Sequence, residues 1–487
     1  MKKFFALIMC ALCMLTLVSC IEEEPAKVYG VDGETIYVGN TAGQEGALAS
    51  VGLPFNVGLQ AALWQYNEAG GFNGAKVELI NYSDGGVQAT GIANTKKLVE
   101  EDEVLAMAGH FGSDVVAGTL DYLKEEQVPM VYAASGISAL FNEKATGDDK
   151  YILPVQPIYN GEGKALLARA VATTEGSLGL GGKKVGVIYT NDEPGNGLLS
   201  GVKSEAAHLG VSVVEARTET TGDHSTAVNI MKNAGCDVII LATGYANSFK
   251  EILSYLVSGN VQGVKVVSSY SNSAASIIST DTTLSDGLKG ANIEVYTTGW
   301  LSISVPAVLD PTAPGYLEYV SSFYVPTADN KVGTHLWDSY KALAAAIGMA
   351  GAYDYGIPGF TAEYWQVAEA IAGYVLSKNP DMAPSMLSTA FSYSYDSYAL
   401  AGYIAGQTLV AGLEKVKEQG LELTRANLVK AMEVGTVDIA MAGEISFANG
   451  ARTGVTDLAI SKYDYATAAY TLYSDLLSLK EVEEGCK

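Results

Sequence analysis

Hydroxyl side chains follow short apolar runs in the first half of the chain, where they could bind an anion. Ser113 stands in the stretch HFGSDVVAG, between an apolar run over residues 104–108 and apolar residues at helical spacing over 115–123. The pattern predicts a strand, a turn and a helix with Ser113 as its N-cap. Backbone N–H groups and the positive end of the helix dipole point outward there, so a carboxylate or phosphate could bind. The alternative is a serine that only caps its own helix.

Other residue types show no pattern of a metal site or a catalytic site. The sequence contains four histidines without ligand spacing and five cysteines without a disulfide framework. Cys236 begins the apolar run CDVIILATG, which predicts a buried, inert thiol. The stretch GSLGLGGKKVG lacks the Gly-Lys-Ser ending of a phosphate loop, and no Gly-x-Ser-x-Gly turn occurs. We therefore expect no enzyme, no cofactor and no metal site. The histidines are His110, His208, His224 and His335.

The elements that must position these residues alternate between strand patterns and helical patterns, in two series. Before Asn160 the strand patterns are TIYVGNTA, AKVELINYSD, VLAMAGH and VPMVYAAS. After Asn160 they are KVGVIYTND, VSVVEART, DVIILATG and VKVVSSYS. Two successive β-α-β series predict an α/β fold of two doubly wound lobes, each with a largely parallel sheet. Ligands collect outside the carboxyl ends of such strands, so the turns at those ends are the candidate sites.

The N-terminal segment predicts export and lipid attachment. Two lysines precede an apolar run over residues 4–18 that ends in Leu-Val-Ser-Cys. This ending resembles the bacterial lipobox, which implies a signal peptide over residues 1–19 and a lipid-bearing Cys20. A polar tether over residues 20–35 follows, with no apolar period. The alternatives are an ordinary signal peptide or a membrane helix, but the apolar run is short for a span of about 20 residues.

The charge of the chain argues against two classes of partner. The formal net charge is −24 over 487 residues, and removal of the signal peptide would take away two lysines and no acid, leaving about −26. Such a surface repels nucleic acid and anionic lipid. Later apolar stretches are short and interrupted, so no second membrane span is expected.

The stretch NTAGQEGALASVGLPFNVGLQAALWQYNEAGGFNGAKVELINYSDGG resembles the opening of type I periplasmic solute-binding proteins of the leucine/isoleucine/valine-binding family. In NEAGGFNG, Gly70, Gly71 and Gly74 permit the tight turn between a helix and a strand. The similarity continues through VLAMAGHFGSDVVAG, VPMVYAASGISALF, KVGVIYTND and DVIILATG, and covers most of residues 36–300. It implies a two-lobed receptor that closes on a small ligand and delivers it to an ABC-type importer.

The resemblance also implies a hinge in which the chain crosses between the lobes three times, near Pro157, Tyr296 and Gly443. The expected first lobe comprises residues 36–156 and 297–442, and the expected second lobe comprises 157–296 and 443–487. A Tyr-rich helical insertion is expected at about residues 312–394 of the first lobe. Three interpretations of the insertion compete: packing of the first lobe, which we favour, a larger cleft, or a surface for a partner protein.

In the first lobe the resemblance identifies a pocket for the ligand's carboxylate. A serine in the turn after the third strand has this role in the family, and its place matches Ser113. The next turn supplies a backbone N–H and a hydroxyl, which here correspond to Ala134, Ser135 and Gly136. The alternative for Ser135 is a turn residue that bonds only its own backbone.

The second lobe departs from the family pattern. Pro194 stands where amino-acid-binding members carry an aromatic residue, while Tyr245 falls on another aromatic position. Tyr270 stands where branched-chain members place the acid that binds the ligand's ammonium group. A buried ammonium group without a counter-charge is costly, so either Asp192 or Glu193 substitutes or the ligand is not a typical α-amino acid.

The sequence thus predicts an extracytoplasmic, lipid-anchored receptor of an ABC importer, present as a monomer. Its expected partners are a small polar, carboxylate-bearing ligand such as an amino acid or a relative, the transporter permease, and the membrane through the lipid. No nucleic-acid partner is expected. The alternative is a surface sensory or protein-interaction module on the same fold, in which the insertion binds another protein.

Overall fold

A computed structural model describes most of the predicted lobes. The predicted signal peptide, Cys20, the first part of the tether and nearly all of the Tyr-rich insertion lie outside the described residues. The described residues are 29–45, 49–300, 370–371, 374–375, 377–378, 397–439 and 443–486. Within these ranges, no helix combines the length and the apolar character that crossing a membrane requires.

The first part of the chain forms a six-stranded sheet. Strand β2 pairs antiparallel with β1 and parallel with both β3 and β4, and β4, β5 and β6 continue the sheet in parallel. Strand β4 is buried throughout, as its apolar sequence predicts. The strands are β1 (Val31–Asp32), β2 (Thr35–Thr41), β3 (Lys76–Tyr82), β4 (Met107–Phe111), β5 (Met130–Ala134) and β6 (Ile152–Leu153). The helices are α1 (Ala49–Glu68), α2 (Gln88–Glu100) and α3 (Ser113–Glu125).

A second α/β unit follows. Its helices are α4 (Tyr159–Val171), α5 (Glu193–Leu209), α6 (Ser225–Ala234), α7 (Ala246–Ser258), α8 (Ser276–Ser279) and α9 (Thr282–Gly290). Its first strands are β7 (Val185–Thr190), β8 (Val213–Thr218), β9 (Val238–Ala242), β10 (Lys265–Ser268) and β11 (Glu294–Gly299). These five strands are parallel to their neighbours in the order β11-β10-β9-β7-β8.

The last part of the chain contributes to both units. The long helix α10 (Ser397–Glu418) packs on α1 of the first unit, and α11 (Arg425–Met432) packs on α10. A small antiparallel hairpin follows, formed by β12 (Val437–Ile439) and β13 (Gly443–Ile445). Strands β14 (Leu458–Asp464) and β15 (Ala469–Leu477) then extend the second sheet antiparallel beyond β11, and α12 (Leu479–Glu484) packs on α4.

The prediction of two α/β lobes is confirmed by these two sheets with their flanking helices. Pro157 lies between β6 of the first sheet and α4 of the second unit. Tyr296 lies inside β11, where it pairs with Val267 and Lys462 of the second sheet. Gly443 begins β13 of the small hairpin. The lobe boundaries remain a proposal, and the second sheet continues to Gly299.

Helices α1 and α10 make the closest helix contact of the first lobe through glycine. A Cβ atom on Gly58 would stand 1.7 Å from the carbonyl oxygen of Ala399, and one on Gly402 would stand 1.8 Å from that of Phe55. Only glycine permits backbones this close. The contact covers one face of the first sheet, where Phe55, Leu400 and Ile404 belong to the core.

Candidate functional site

Ser113 lies at the carboxyl end of β4, but it is not the N-cap of α3. Gly112 occupies that position with φ 94°, which favours glycine, and Ser113 is the first residue of the helix. The predicted N-cap is therefore wrong by one residue. The half-buried Ser113 hydroxyl accepts a hydrogen bond from the Oγ of Ser135 at 3.0 Å. This places the hydroxyl beside the N-terminal N–H groups of α3, where an anion is stabilised.

The turn after β5 adds the second group of predicted residues. Ala134 ends β5, and Ser135, only 3% exposed, donates to Ser113 and accepts a hydrogen bond from the backbone N–H of Ile137 at 3.3 Å. The carbonyl oxygen of Gly136 accepts from the N–H of Tyr159 at 2.6 Å. A Cβ atom on Gly136 would lie 2.9 Å from the Tyr159 ring, so the absence of a side chain lets that ring approach.

Tyr159 links the two lobes, and the sequence analysis missed it. The residue begins α4, directly after the predicted first crossing, and is buried. Burial raises the pKa of the phenol well above its usual range and keeps the phenol neutral, and it outweighs an interaction between the hydroxyl and the Ser113 side chain that lowers that pKa. The hydroxyl also stands 3.3 Å from where a Cβ of Gly244 would be, in the turn after β9. An aromatic residue just beyond Pro157 was the available signal.

The two acids predicted on the second lobe have different surroundings. Asp192 is the N-cap of α5, and its Oδ1 accepts from the N–H of Gly195 at 2.7 Å and from the Thr190 hydroxyl at 3.0 Å. Glu193 reaches across to the first lobe, where its Oε1 accepts from the N–H of Ser138 at 2.8 Å. Burial raises the pKa of Glu193, while the hydrogen bonds from Ser138 oppose that change. Glu193 therefore connects the lobes, and Asp192 caps a helix.

Tyr245 lies on the rim of the same region. It is the N-cap of α7 and remains 42% exposed. Burial of part of the ring, together with the charges of Asp114, Asp192 and Glu193, raises the pKa of Tyr245 to about 12. Asp114 belongs to the first turn of α3, so this rim brings acids of both lobes near one phenol.

Tyr270 contacts the segment at the predicted first crossing between the lobes. Its hydroxyl accepts from the side-chain amide of Gln156 at 3.0 Å and donates to the carbonyl oxygen of Pro157 at 3.3 Å. Its ring packs against the core of the first lobe. Tyr270 thus joins the turn after β10 to the segment that leads into α4.

A buried carboxylate accepts hydrogen bonds from the turn after β10, and it too was not predicted from the sequence. Glu162 of α4 accepts hydrogen bonds from the Tyr270 N–H at 2.9 Å, from the Ser269 hydroxyl at 2.7 Å, and from the Thr298 hydroxyl. Burial raises the pKa of Glu162, and the three donors oppose the change by stabilising the charged form. This role could not be predicted from the sequence, because α4 and the ends of β10 and β11 meet only in the folded protein.

The predicted residues therefore divide into three groups. Ser113, Ala134, Ser135 and Gly136 lie together at the ends of β4 and β5, next to Tyr159, and Glu193 binds the N–H of Ser138 in the same turn region. Asp192 and Tyr245 lie beside this group, and Tyr270 lies at the hinge. Such an arrangement can donate hydrogen bonds from hydroxyls and helix N–H groups to an anionic group, and it presents carboxylates to a cationic group.

A cavity of about 560 Å³ lies elsewhere, at the amino ends of β2 and β3. Its described lining residues include none of the predicted site residues. Ligands of open α/β sheets bind at the carboxyl ends of the strands, so we place the candidate site at the hydroxyl network. The lining residues are Val31, Gly33, Glu34, Ile36, Phe72, Asn73, Gly74, Ala75, Glu422 and Leu423.

Comparison with known sequences finds amino-acid-binding proteins among the relatives of this chain. An amino acid binding protein from Pseudomonas aeruginosa is 25% identical over 214 residues, which cover 42% of this chain and 52% of the relative. A Leu/Ile/Val-binding protein homolog 2 from Brucella abortus is 27% identical over 241 residues, which cover 47% of this chain and 57% of the relative. The chain thus spans about half the length of the curated relatives it matches.

Solved structures share the fold over nearly the whole chain. A fatty acid ABC transporter substrate-binding protein from Thermomonospora curvata is 17% identical, with a TM-score of 0.62 and coverage of 95% of this chain and 97% of that chain. A branched chain amino acid ABC transporter from Thermus thermophilus with bound valine is 13% identical, with a TM-score of 0.59 and coverage of 93% and 100%. The family model for periplasmic binding protein matches residues 35–356, which is more than half of the sequence, and the chain therefore belongs to the periplasmic binding protein family.

Proposed function

We propose that the protein is the solute-binding receptor of an ABC importer and closes its lobes on a small, carboxylate-bearing ligand. The observation that carries this proposal is the hydroxyl network of Ser113, Ser135 and Tyr159 beside the N-terminus of α3. Hydroxyls and free helix N–H groups together favour a carboxylate, because the helix dipole and the donors both stabilise negative charge.

Ligand binding would rearrange this network. In the structure the Ser135 hydroxyl donates to Ser113, and the Tyr159 hydroxyl interacts with the Ser113 side chain strongly enough to lower the pKa of the phenol. A carboxylate would accept hydrogen bonds from these hydroxyls in place of their mutual bonds. Since Tyr159 begins the second unit and Ser113 belongs to the first, a ligand held by both favours the closed arrangement of the lobes.

The remainder of the ligand would lie toward Tyr245 and Glu193. The Glu193 carboxylate and the nearby charge of Asp114 suit an ammonium group, and the partly exposed Tyr245 ring suits an apolar or aromatic body. Among structural neighbours, one is described as a fatty acid protein and others contain valine or Leu. A carboxylate is what those ligands share, so we propose small carboxylates as the ligand class, with amino acids as its first members.

The N-terminal sequence supports a location for the receptor outside the cytoplasm, attached to a membrane. We propose that residues 1–19 direct export, that Cys20 carries lipid, and that residues 20–35 tether a monomeric body to a bacterial membrane on its extracytoplasmic side. The ligand-loaded body would dock on a transporter permease. The binding proteins among the relatives also support a non-catalytic role.

A thermal-shift screen of the full chain in detergent tests the proposal. The panel contains amino acids, their amides, fatty acids, other small carboxylates, nucleosides and sugars. A ligand that binds only the folded state adds about 2.7 kcal/mol at a hundredfold excess over its dissociation constant, which raises the melting temperature. We expect a shift with carboxylates alone. If no solute shifts the transition, the result favours the alternative, a sensory or protein-interaction module.

A further inference from the structure

Three ionisable side chains meet on the second lobe, outside the hydroxyl network. Glu205 and His208 lie one turn apart on α5, so they share a face of that helix. Glu483 belongs to the C-terminal helix α12. One ligand-capable atom from each of the three side chains lies within 4.8 Å of the other two. The Nε2 of His208 lies 3.7 Å from a carboxylate oxygen of Glu483.

Glu205 is an unusual member of this cluster, because it is buried. The residue is only 2% exposed, and its Oε1 has no hydrogen-bond partner within the part of the chain that the structure describes. An unsatisfied buried carboxylate oxygen is costly, and the cost falls when a cation or a donor reaches it. This oxygen therefore points to a missing partner in the cluster.

The charges around Glu205 do not supply a partner for its buried carboxylate oxygen. Burial and the neighbouring Glu483 carboxylate raise the pKa of Glu205, while His208 and Lys164 oppose that change. Two carboxylates this close either share a proton or bind a cation. The His208 side chain is 63% exposed, so an ion can reach the cluster from solvent.

We infer that Glu205, His208 and Glu483 bind a divalent transition-metal ion, with Zn²⁺ as the best match. Imidazole nitrogen and carboxylate oxygen are both zinc ligands, at about 2.0–2.2 Å from the ion. Two ligands of a tetrahedral ion at that radius stand about 3.4 Å apart, so small side-chain rotations bring the three atoms into range. Water would complete the coordination, and the imidazole disfavours Mg²⁺ and Ca²⁺.

The ion would fasten the C-terminal helix to the second lobe. It would bridge α5 to α12, which packs on α4 through buried Val482. No metal site was expected from the sequence, because the histidines have no cysteine or carboxylate cluster in the same segment. Glu205 and Glu483 are instead brought together from distant parts of the chain by the fold.

Zinc titration of the full chain tests the inference. The protein, without an affinity tag and in detergent, is treated with a chelator, dialysed, and titrated with Zn²⁺ in a calorimeter. We expect one ion per chain. Glu205→Gln and His208→Ala should each weaken zinc binding at least tenfold. Glu484→Gln is the matched control, because this exposed carboxylate is adjacent to Glu483 and should leave the affinity unchanged.

Two further measurements keep the inference open to contradiction. His208 is exposed, so His208→Ala remains informative even if Glu205→Gln does not fold, which circular dichroism would reveal. Cys486→Ser should retain zinc affinity, because the Cys486 thiol already donates to the carbonyl oxygen of Ala168 at 3.5 Å. Absence of saturable binding, equal affinity in His208→Ala, equal affinity for Ca²⁺, or loss of binding in Cys486→Ser would overturn this ligand set.

Discussion

At the scale of single residues, the site could be predicted only where it follows a strand pattern. Ser113 and Ser135 stand in the turns that follow two apolar runs, and parallel strands end at one edge of their sheet, so their proximity was predictable. Tyr159 and Glu162 were missed because each lies on a helix and acts on turns from distant parts of the chain. Their roles depend on the contacts between the lobes, and hydrophobic periodicity within one segment does not predict those contacts.

Ser113→Ala should weaken carboxylate binding. The change removes one hydroxyl from a partly buried anion site, so we expect a loss of about 1–3 kcal/mol of binding free energy with little change in fold. Calorimetry with the ligand identified by screening measures the effect. Ser200→Ala, on α5 and bonded only to Asn160 in the described structure, is the control. Equal affinity in Ser113→Ala would make Ser113 a structural residue.

His110 should make the protein less stable in acid. It is fully buried in β4, and burial lowers the pKa of its imidazole to about 4, below the value of about 6.5 expected in the unfolded chain. Between those two pKa values the unfolded chain binds more protons than the folded chain. The contribution of His110 to the free energy of unfolding is therefore fully present above a pH of about 6.5. It falls as the pH decreases toward 4, by up to about 1.4 kcal/mol per pH unit.

His110→Gln is the variant that separates this effect from other titrations. Its side chain keeps a donor for the Thr119 hydroxyl, which lies 2.9 Å from the Nε2 of His110, but it does not titrate. Denaturant unfolding of both proteins at several pH values should show a shallower fall in stability for the variant. If the free energy of unfolding falls equally with pH in both proteins, the loss of stability in acid does not come from His110.

At the scale of elements, the sheets were predictable and the helix contacts were not. The alternation of strand and helix patterns predicted both sheets, but glycines within α1 and α10 carry no sequence signal of a shared contact. Gly58 and Gly402 become informative only when each is seen opposite the backbone of the other helix. The N-cap at Gly112 was missed for a related reason, since the positive φ of 94° at this residue is known only from the folded chain.

Gly402→Ala should destabilise the first lobe. Alanine normally stabilises a helix by up to about 1 kcal/mol relative to glycine, but here its Cβ would meet the Phe55 carbonyl oxygen. Separation of α1 from α10 should cost at least about 1–3 kcal/mol. The control is Gly161→Ala in α4, where no described atom lies within 4 Å of the added Cβ. Urea unfolding that shows Gly402→Ala as stable as the control would contradict the proposed backbone contact.

At the scale of the whole molecule, Glu193 supplies one of the polar contacts between the predicted lobes. Its carboxylate bonds the Ser138 N–H across the cleft, while Tyr270 and Glu162 hold the hinge. Closure therefore depends on groups near the proposed ligand. The resemblance identified the two-lobed architecture, but the bonds that favour one arrangement of the lobes required the structure.

Glu193→Ala should shift the lobes toward an open arrangement. Loss of this bond removes about 0.5–1.5 kcal/mol from the closed state, so ligand affinity should fall roughly twofold to twelvefold. Small-angle X-ray scattering without ligand should give a larger radius of gyration than the unmodified chain. Glu175→Ala changes an exposed acid of the same lobe and serves as the control. An unchanged radius and an unchanged affinity would show that the bond does not govern closure.

The most direct measurement compares a carboxylic acid with its primary amide. The two ligands have nearly the same shape, but only the acid carries the negative charge that the hydroxyl network and the N-terminus of α3 are proposed to bind. Calorimetry should show the acid binding at least tenfold more tightly, with most of the difference lost in Ser113→Ala. Equal affinity for acid and amide, or a preference that survives in Ser113→Ala, would contradict a carboxylate site at the start of α3.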